Sequence, residues 1–334
     1  MAVAGCGRWG INYVRVYQNM DGVELVAVAD ADPKAHKRFA RQIAQAAFYT
    51  DARRMFTETR PDAVVVVTPA TTHPPVVRAA LDAGAHVLVE KPLAATSREG
   101  AALVAHAAKR KRQLMVGHIF HYHVAVQRLK ALVKSGALGQ LRYLYSVRTN
   151  LGPVRDDVNV LWDLAPHDVA MLLLLTGDEV TTVTASGQSY LRPGNADVAF
   201  GTLHFRRSKV IGHLQVSWLD PHKVRRLTVI GSKQMAVFDD INTQEPLRLY
   251  DRGVDRDKAF SDFGQFHLML RDGDIHIPHV TVEEPLRAEA AHFIECVRTN
   301  RRPLTDGVFG LKVVKVLEAL DRSLAARGRP VRVG

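Results

Sequence analysis

Met1-Ala2-Val3-Ala4-Gly5-Cys6-Gly7-Arg8-Trp9-Gly10 opens the chain, and a second apolar run, Val23 to Ala29, ends on Asp30. The first four residues read as a short strand, and Ile11 to Asn19 as the helix that follows it. Between them the glycines have separate tasks: Gly5 allows a tight bend, Gly7 lets main chain approach a pyrophosphate, and Gly10 lets the helix pack on the sheet. The start of that helix then offers N–H groups to phosphate oxygens. Asp30, twenty positions past Gly10, stands at the tip of the next strand, where a carboxylate accepts hydrogen bonds from an adenosine ribose. The candidate cofactor contacts are therefore Gly5, Cys6, Gly7, Arg8, Trp9, Gly10 and Asp30. A glycine-rich turn without a ligand is the alternative. With Ala31 and Asp32 after Asp30, a 2′-phosphate would meet carboxylates and no arginine, which favours NAD over NADP.

The pattern continues outward. A helix is predicted over Asp32 to Phe48, with Phe39, Ile43 and Ala47 at helical spacing. Asp62 to Pro69 contains an unbroken β-branched run, as in a parallel strand covered on both faces, and its Thr68-Pro69 end points at the cofactor side. Helices at Pro74 to Ala83 and Ser97 to Arg110 alternate with strands at His86 to Glu90 and Gln113 to Gly117. This alternation predicts a doubly wound parallel sheet of Rossmann type. Past Gly117 the grammar changes: a helix (Ala125 to Lys134), a strand (Arg142 to Asn150), a helix starting near Asp163, then strands at Val180 to Leu191, Val198 to Phe205, Val210 to Trp218, Val224 to Gly231 and Met235 to Phe238. Helices Leu286 to Thr299 and Gly307 to Arg327 close the chain. The expected class is α/β, with a nucleotide-binding domain over residues 1–120 and an α+β domain over 121–334. The second domain would carry a large, open, mostly antiparallel sheet, and the last helices could pack back on the first. One face of that sheet carries no predicted helix, which predicts a homodimer or homotetramer through it.

A chain of 334 residues is long for one core, in keeping with two domains. Its net charge of +11 is spread over predicted helices and strands, so an anionic small molecule fits it better than nucleic acid. The apolar stretches fall short of the roughly 20 residues of a membrane helix. A glycine loop beginning at Gly5 leaves no room for a signal peptide, so a cytoplasmic location is expected. Two cysteines, Cys6 and Cys296, argue against a disulfide framework.

The chain resembles the glucose-fructose oxidoreductase, inositol dehydrogenase and MocA-like family of NAD(P)-dependent sugar oxidoreductases over essentially its whole length. The residues that carry the resemblance are the Gly5 to Gly10 loop, Thr68-Pro69 with His73, Ala83-Gly84-Ala85-His86-Val87-Leu88-Val89-Glu90-Lys91-Pro92, and Gly117-His118 followed by Tyr122 and Lys130. Three further stretches resemble the nucleotide-sugar branch, the UDP-N-acetylglucosamine 3-dehydrogenases: Asn159 to Asp168, Ser217-Trp218-Leu219-Asp220-Pro221, and Tyr250 to Asp255. The resemblance implies a catalytic or substrate-orienting Lys91 followed by a cis proline, cofactor contacts at Thr68, Pro69, His73 and Glu90, and substrate contacts at His118 and Tyr122. It also implies oxidation at C3 of a UDP-N-acetylhexosamine for envelope amino-sugar biosynthesis. A UDP-N-acetylglucuronate, a free sugar or an inositol would be alternative substrates.

The residues themselves bear on this reading. Lys91 lies at the carboxyl end of a parallel strand, where such sheets bind ligands. Asp163 and His167 are four apart on a helix, hence on one face, and an imidazole oriented by a carboxylate suits removal of a hydroxyl proton. Each has a plain alternative, Asp163 as a residue near the N-cap with Pro166 in the first turn, and His167 as a capped helix histidine. Asp168 is given no role. A substrate diphosphate would draw on Arg148, Arg155, Lys223 or Arg225, and Arg155 and Asn159 are preferred because they precede the Asp163 helix. His118, His121 and His123 lack acidic or cysteine company, so no metal is expected. A non-catalytic NAD-sensing regulator is the contrasting reading, and the joint presence of Lys91 and His167 weighs against it.

Overall fold

The computed structural model describes residues 1–43, 46–256, 268–281 and 283–334. The chain divides into two compact units, Met1–Tyr122 with Glu283–Glu318, and His123–Val282 with Ala319–Gly334.

In the first unit, β1 (Ala2–Ala4), α1 (Gly10–Gln18), β2 (Ala27–Ala29), α2 (Pro33–Arg38), β3 (Ala47–Tyr49), α3 (Ala52–Thr59), β4 (Ala63–Val66), α4 (His73–Asp82), β5 (His86–Glu90), α5 (Ser97–Arg110) and β6 (Leu114–Gly117) follow in order. Their six strands form a parallel sheet in the order β3-β2-β1-β4-β5-β6. The β-branched run of β4 is buried throughout, each valine contributing about 1.5–3 kcal/mol by leaving water. Register places Ala4 beside Ala29 and Val66, Val66 beside Val89, and Glu90 beside Gly117. The strands therefore release Gly5, Asp30, Val67, Lys91 and His118 along one edge of the sheet, which is what gathers the site.

The long helix expected over Asp32 to Phe48 is not formed. Asp32 caps α2, accepting the Lys34 N–H at 2.9 Å, and the helix ends at Arg38. A single turn carries Ile43 into the core, Ala44 and Gln45 lie outside the described residues, and Phe48 pairs with Val28 in the edge strand. The spacing of Phe39, Ile43 and Ala47 matched a helix by local pattern, and pairing with β2 overrode it.

In the second unit, α6 (Val124–Lys134), β7 (Leu141–Leu151), α7 (Val160–Thr176), β8 (Val180–Gln188), β9 (Val198–Phe205), β10 (Ile211–Ser217), β11 (Leu219–Gly231), β12 (Met235–Asp239), β13 (Leu247–Arg256) and β14 (Leu268–His276) come in succession. After them α8 (Pro285–Thr299) belongs to the first unit, α9 (Gly307–Ala325) is shared between the two, and β15 (Val331–Arg332) ends the chain. The nine-stranded sheet has the order β14-β13-β12-β11-β7-β10-β9-β8-β15. It is mixed: β7 and β10 run parallel, because α7 and the β8-β9 hairpin intervene before β10 returns beside β7. Strands β13 and β14 were absent from the sequence reading. Their residues are heavily charged, with Arg252 to Asp272 at 2.7 Å and Arg271 to Asp251 at 3.2 Å, a composition that protects a sheet edge and conceals apolar alternation.

On β7, Leu144, Ser146 and Arg148 are buried, whereas Tyr143 and Tyr145 on the opposite face are 46 % and 36 % exposed. Ile211 lies level with Tyr143, and together with Phe200 they form an exposed, partly apolar sheet face. No helix among the described residues is long and apolar enough to cross a membrane.

Candidate active site

Along the carboxyl edge of the parallel sheet, each glycine of the first loop has the expected surroundings. Gly5 has φ of +101°, and a Cβ there would lie 2.6 Å from the Val67 carbonyl carbon. A Cβ at Gly10 would sit 2.0 Å from the Gly5 oxygen, so only glycine lets α1 approach this closely. Nothing lies within 4 Å of a Cβ built at Gly7, leaving the loop open in front of that residue. No side chain caps the start of α1 and its first turn holds no acid, so its partial positive charge is available to a diphosphate. These features fit NAD.

Asp30 locks the loop. Its Oδ2 accepts the Cys6 N–H at 2.7 Å and its Oδ1 the Asp32 N–H at 2.9 Å. Burial, with the Asp30 charge adding to it, pushes the Cys6 thiol up to about 11, so this cysteine is a packing residue and not a thiolate.

The Lys91-Pro92 bond is cis. His73, almost fully buried, spans the neighbouring loops: Nδ1 lies 2.9 Å from the Pro92 oxygen and Nε2 2.8 Å from the Thr68 oxygen. Both ring nitrogens thus face main chain, which makes His73 a strut between Thr68-Pro69 and Lys91-Pro92 and not the direct cofactor contact expected from the sequence. The Thr68 hydroxyl is bonded by Thr72 at 2.8 Å. Glu90 is enclosed: Oε1 accepts from Trp9 Nε1 at 2.5 Å and from the Tyr13 hydroxyl at 2.8 Å, and Oε2 from the Lys91 N–H at 3.0 Å. Burial raises its pKa, opposed by the Lys91 charge.

His118 follows β6, is 1 % exposed and has no hydrogen-bond partner among the described residues at either ring nitrogen. It packs against the edge of Phe309, with ring centroids 5.6 Å apart. Burial first, then His121 and Lys91, hold it neutral well below the usual imidazole range. Tyr122 departs from expectation. Its hydroxyl is buried, 3.3 Å from Thr305 Oγ1 and 3.9 Å from Met115 Sδ, so it is committed to the core of this unit. Among the described residues there is no group of three or more His, Cys, Asp or Glu side chains able to hold a metal.

The second unit holds the remaining candidates. Asn159, and not Asp163, caps α7: its Oδ1 accepts the Trp162 N–H at 3.2 Å while Nδ2 donates to Asp321 at 2.6 Å. Its amide thus caps the helix and ties it to Asp321, with one N–H and one oxygen lone pair left over from these two bonds. Asp163 and His167 both lie on α7 one turn apart, and Pro166 is inside the helix, past its first turn. The Asp163 carboxylate accepts from Arg155 Nη1 at 3.2 Å and from the buried Trp218 Nε1 at 3.1 Å. Arg155 also grips Asp157 through Nε at 2.8 Å. Arg148 leaves the diphosphate candidates, since it is buried and bonded to Asp168 Oδ2 at 2.9 Å, and Arg225 pairs with Asp240 at 3.1 Å. His123 caps α6, accepting the Ala125 N–H at 3.2 Å. Tyr13, Glu289 and the Arg148–Asp168 pair were missed by sequence reasoning, because nothing in a helical or strand pattern distinguishes a buried ionisable group from an exposed one.

A family model described as "Oxidoreductase family, NAD-binding Rossmann fold" matches residues 1–118, and the GFO/IDH/MocA C-terminal domain matches residues 126–237. The chain belongs to the Gfo/Idh/MocA oxidoreductase family. This Gfo/Idh/MocA protein is 31 % identical over 256 residues to UDP-N-acetylglucosamine 3-dehydrogenase of Acidithiobacillus ferrooxidans, covering 76 % of this chain and 75 % of the relative. The solved structure of that enzyme superposes with a TM-score of 0.80 at 27 % identity over 97 % of each chain. Myo-inositol dehydrogenase Hyg17 of Streptomyces leeuwenhoekii is 32 % identical over 203 residues, 59 % of this chain and 62 % of the relative. The protein is an NAD-dependent oxidoreductase.

Proposed function

We propose that this oxidoreductase oxidises the C3 hydroxyl of a UDP-N-acetylhexosamine, converting UDP-N-acetylglucosamine to its 3-keto form for amino-sugar biosynthesis of the cell envelope. The observation that carries the reading is Lys91, released from β5 at the carboxyl edge of the sheet beside the Gly5 to Gly10 loop, in a chain similar to the Acidithiobacillus enzyme over three quarters of its length. NAD, when bound, accepts the hydride that leaves the sugar carbon. Residues 1–120 hold the cofactor and residues 121–334 the sugar. Lys91 and His167 take up and position the hydroxyl proton, an imidazole being suited to that transfer near neutral pH. Asp163 supports His167 from one helical turn away and is itself fixed by Arg155 and Trp218. His118, whose ring nitrogens have no hydrogen-bond partner among the described residues, is the proposed contact for a sugar hydroxyl, and Arg155, paired to Asp157 and Asp163 yet 40 % exposed, is the proposed contact for the diphosphate.

The test is NADH formation, followed by absorbance, with UDP-N-acetylglucosamine, UDP-N-acetylglucuronate, free sugars and inositols as separate substrates. Turnover on UDP-N-acetylglucosamine above the others supports the proposal, and turnover on an inositol alone overturns it. The likeness to Hyg17 is what favours that second reading. We further propose a cytoplasmic homodimer or homotetramer joined through the Tyr143 and Tyr145 face of the large sheet.

A further inference from the structure

Inside the first unit, one hydroxyl stands between a buried carboxyl group, Glu289, and a half-buried one, Glu90. Tyr13 Oη lies 2.8 Å from Glu90 Oε1 and 3.0 Å from Glu289 Oε2. A phenol carries one proton and can donate it once. If both carboxyl groups were ionised, one of these short contacts would set oxygen lone pairs against each other with no hydrogen between them. One of the two is therefore protonated, and the surroundings identify which. Glu90 receives the Trp9 indole N–H and the Lys91 main-chain N–H as well, and its neighbour carries the Lys91 ammonium. Glu289 on α8 has no exposure to solvent, and its Oε1 has no hydrogen-bond partner among the described residues. The groups facing it are Tyr13 and Tyr17 from α1, Glu90 from β5 and Tyr122 beyond β6, none of them cationic.

We propose that Glu289 is a neutral carboxylic acid donating to Tyr13, that Tyr13 donates to an ionised Glu90, and that Tyr13 and Glu289 are thereby positioning residues for the Glu90-Lys91 loop. Burial, reinforced by the Glu90 charge, raises the Glu289 carboxyl well above the usual range, in agreement with the geometry. Gly117 makes room for the relay: a Cβ there would lie 3.2 Å from the Tyr13 hydroxyl and 3.3 Å from Glu90 Oε1. The relay holds the carboxylate that accepts from the Lys91 main chain, and its bearing on turnover rests on the catalytic role proposed for Lys91.

Infrared difference spectra of the whole protein at pH 8 test the protonation directly and need no substrate. The expected result is a free-acid carbonyl band that disappears in Glu289→Gln and shifts in Tyr13→Phe. Absence of any such band sensitive to Glu289→Gln overturns the proposal, whatever the substrate proves to be. Positioning is read separately. Glu289→Leu and Tyr13→Phe are expected to weaken NADH binding, measured by fluorescence, by about tenfold. Tyr13→Phe should move the acid limb of the kcat/KM profile upward by about one pH unit, because Glu90 loses a donor. Glu289→Gln, which keeps a donor, should restore most of what Glu289→Leu loses. If all three variants alter only thermal stability and leave NADH affinity and the acid limb unchanged, the positioning role is refuted.

Discussion

The Asp30 carboxylate accepts the main-chain N–H of Cys6 at 2.7 Å, joining the tip of β2 to the middle of the glycine loop. One side chain thus ties down the loop and, under the proposed cofactor contact, also carries the negative charge that disfavours a 2′-phosphate. Asp30→Ala removes both effects. Leaving the Cys6 N–H without its partner should cost about 1–3 kcal/mol and weaken NADH binding roughly tenfold or more. Fluorescence titration with NADH and NADPH checks this, and the preference for NADH should narrow in the variant.

Lys91→Ala and His167→Ala are expected to lower kcat by about 10²–10⁴ while NADH affinity stays within a few fold, as for groups that transfer or position a proton. Stopped-flow single turnovers separate this from a loss of binding. Asp163→Asn, which removes the charge one turn from His167 and keeps the side-chain shape, should have a smaller effect on kcat in the same experiment.

The buried Arg148–Asp168 pair predicts an asymmetry. Removing either partner strands a charge inside the second unit, so Arg148→Met or Asp168→Leu should each cost about 3–5 kcal/mol. The double replacement should recover much of that loss, since two apolar side chains leave no stranded charge. Chemical denaturation of the four proteins closes the cycle.

Acid should destabilise the protein through its buried histidines. His73 and His118 both have pKa values lowered by burial from the ordinary 6.5, so the unfolded chain binds more protons than the folded one as pH falls below about 7. Stability is then fully present above the unfolded value and declines toward pH 5, by up to about 1.4 kcal/mol per pH unit for each group. Thermal melts at pH 7.5 and 5.5 measure the slope, and His118→Phe should flatten it.

Light scattering tests the exposed sheet face. Wild type is expected to run as a dimer or tetramer, and Tyr145→Lys, which sets a charge at the level of His213 and Thr228, should shift it toward monomer.

Sequence alone determined most of the parallel half of the molecule, the stretch from α2 to β3 excepted, because glycine spacing, β-branched runs and strand-helix alternation are local signals tied to backbone geometry. It also marked Asp30, Lys91 and the Asp163–His167 spacing, each of which follows from a strand end or a helical turn. Only tertiary structure decided which polar groups were spent internally. Asn159 caps α7, His73 braces two loops, Tyr122 and Arg148 are turned inward, and Tyr13 is held between Glu90 and Glu289. Their partners lie as many as 276 residues away in the chain, and the sign and burial of a charge depend on such neighbours and not on local periodicity. Strands β3 and β14 at sheet edges, and β13 next to β14, escaped for a related reason: pairing with the sheet makes them strands, while their own residues carry little alternation.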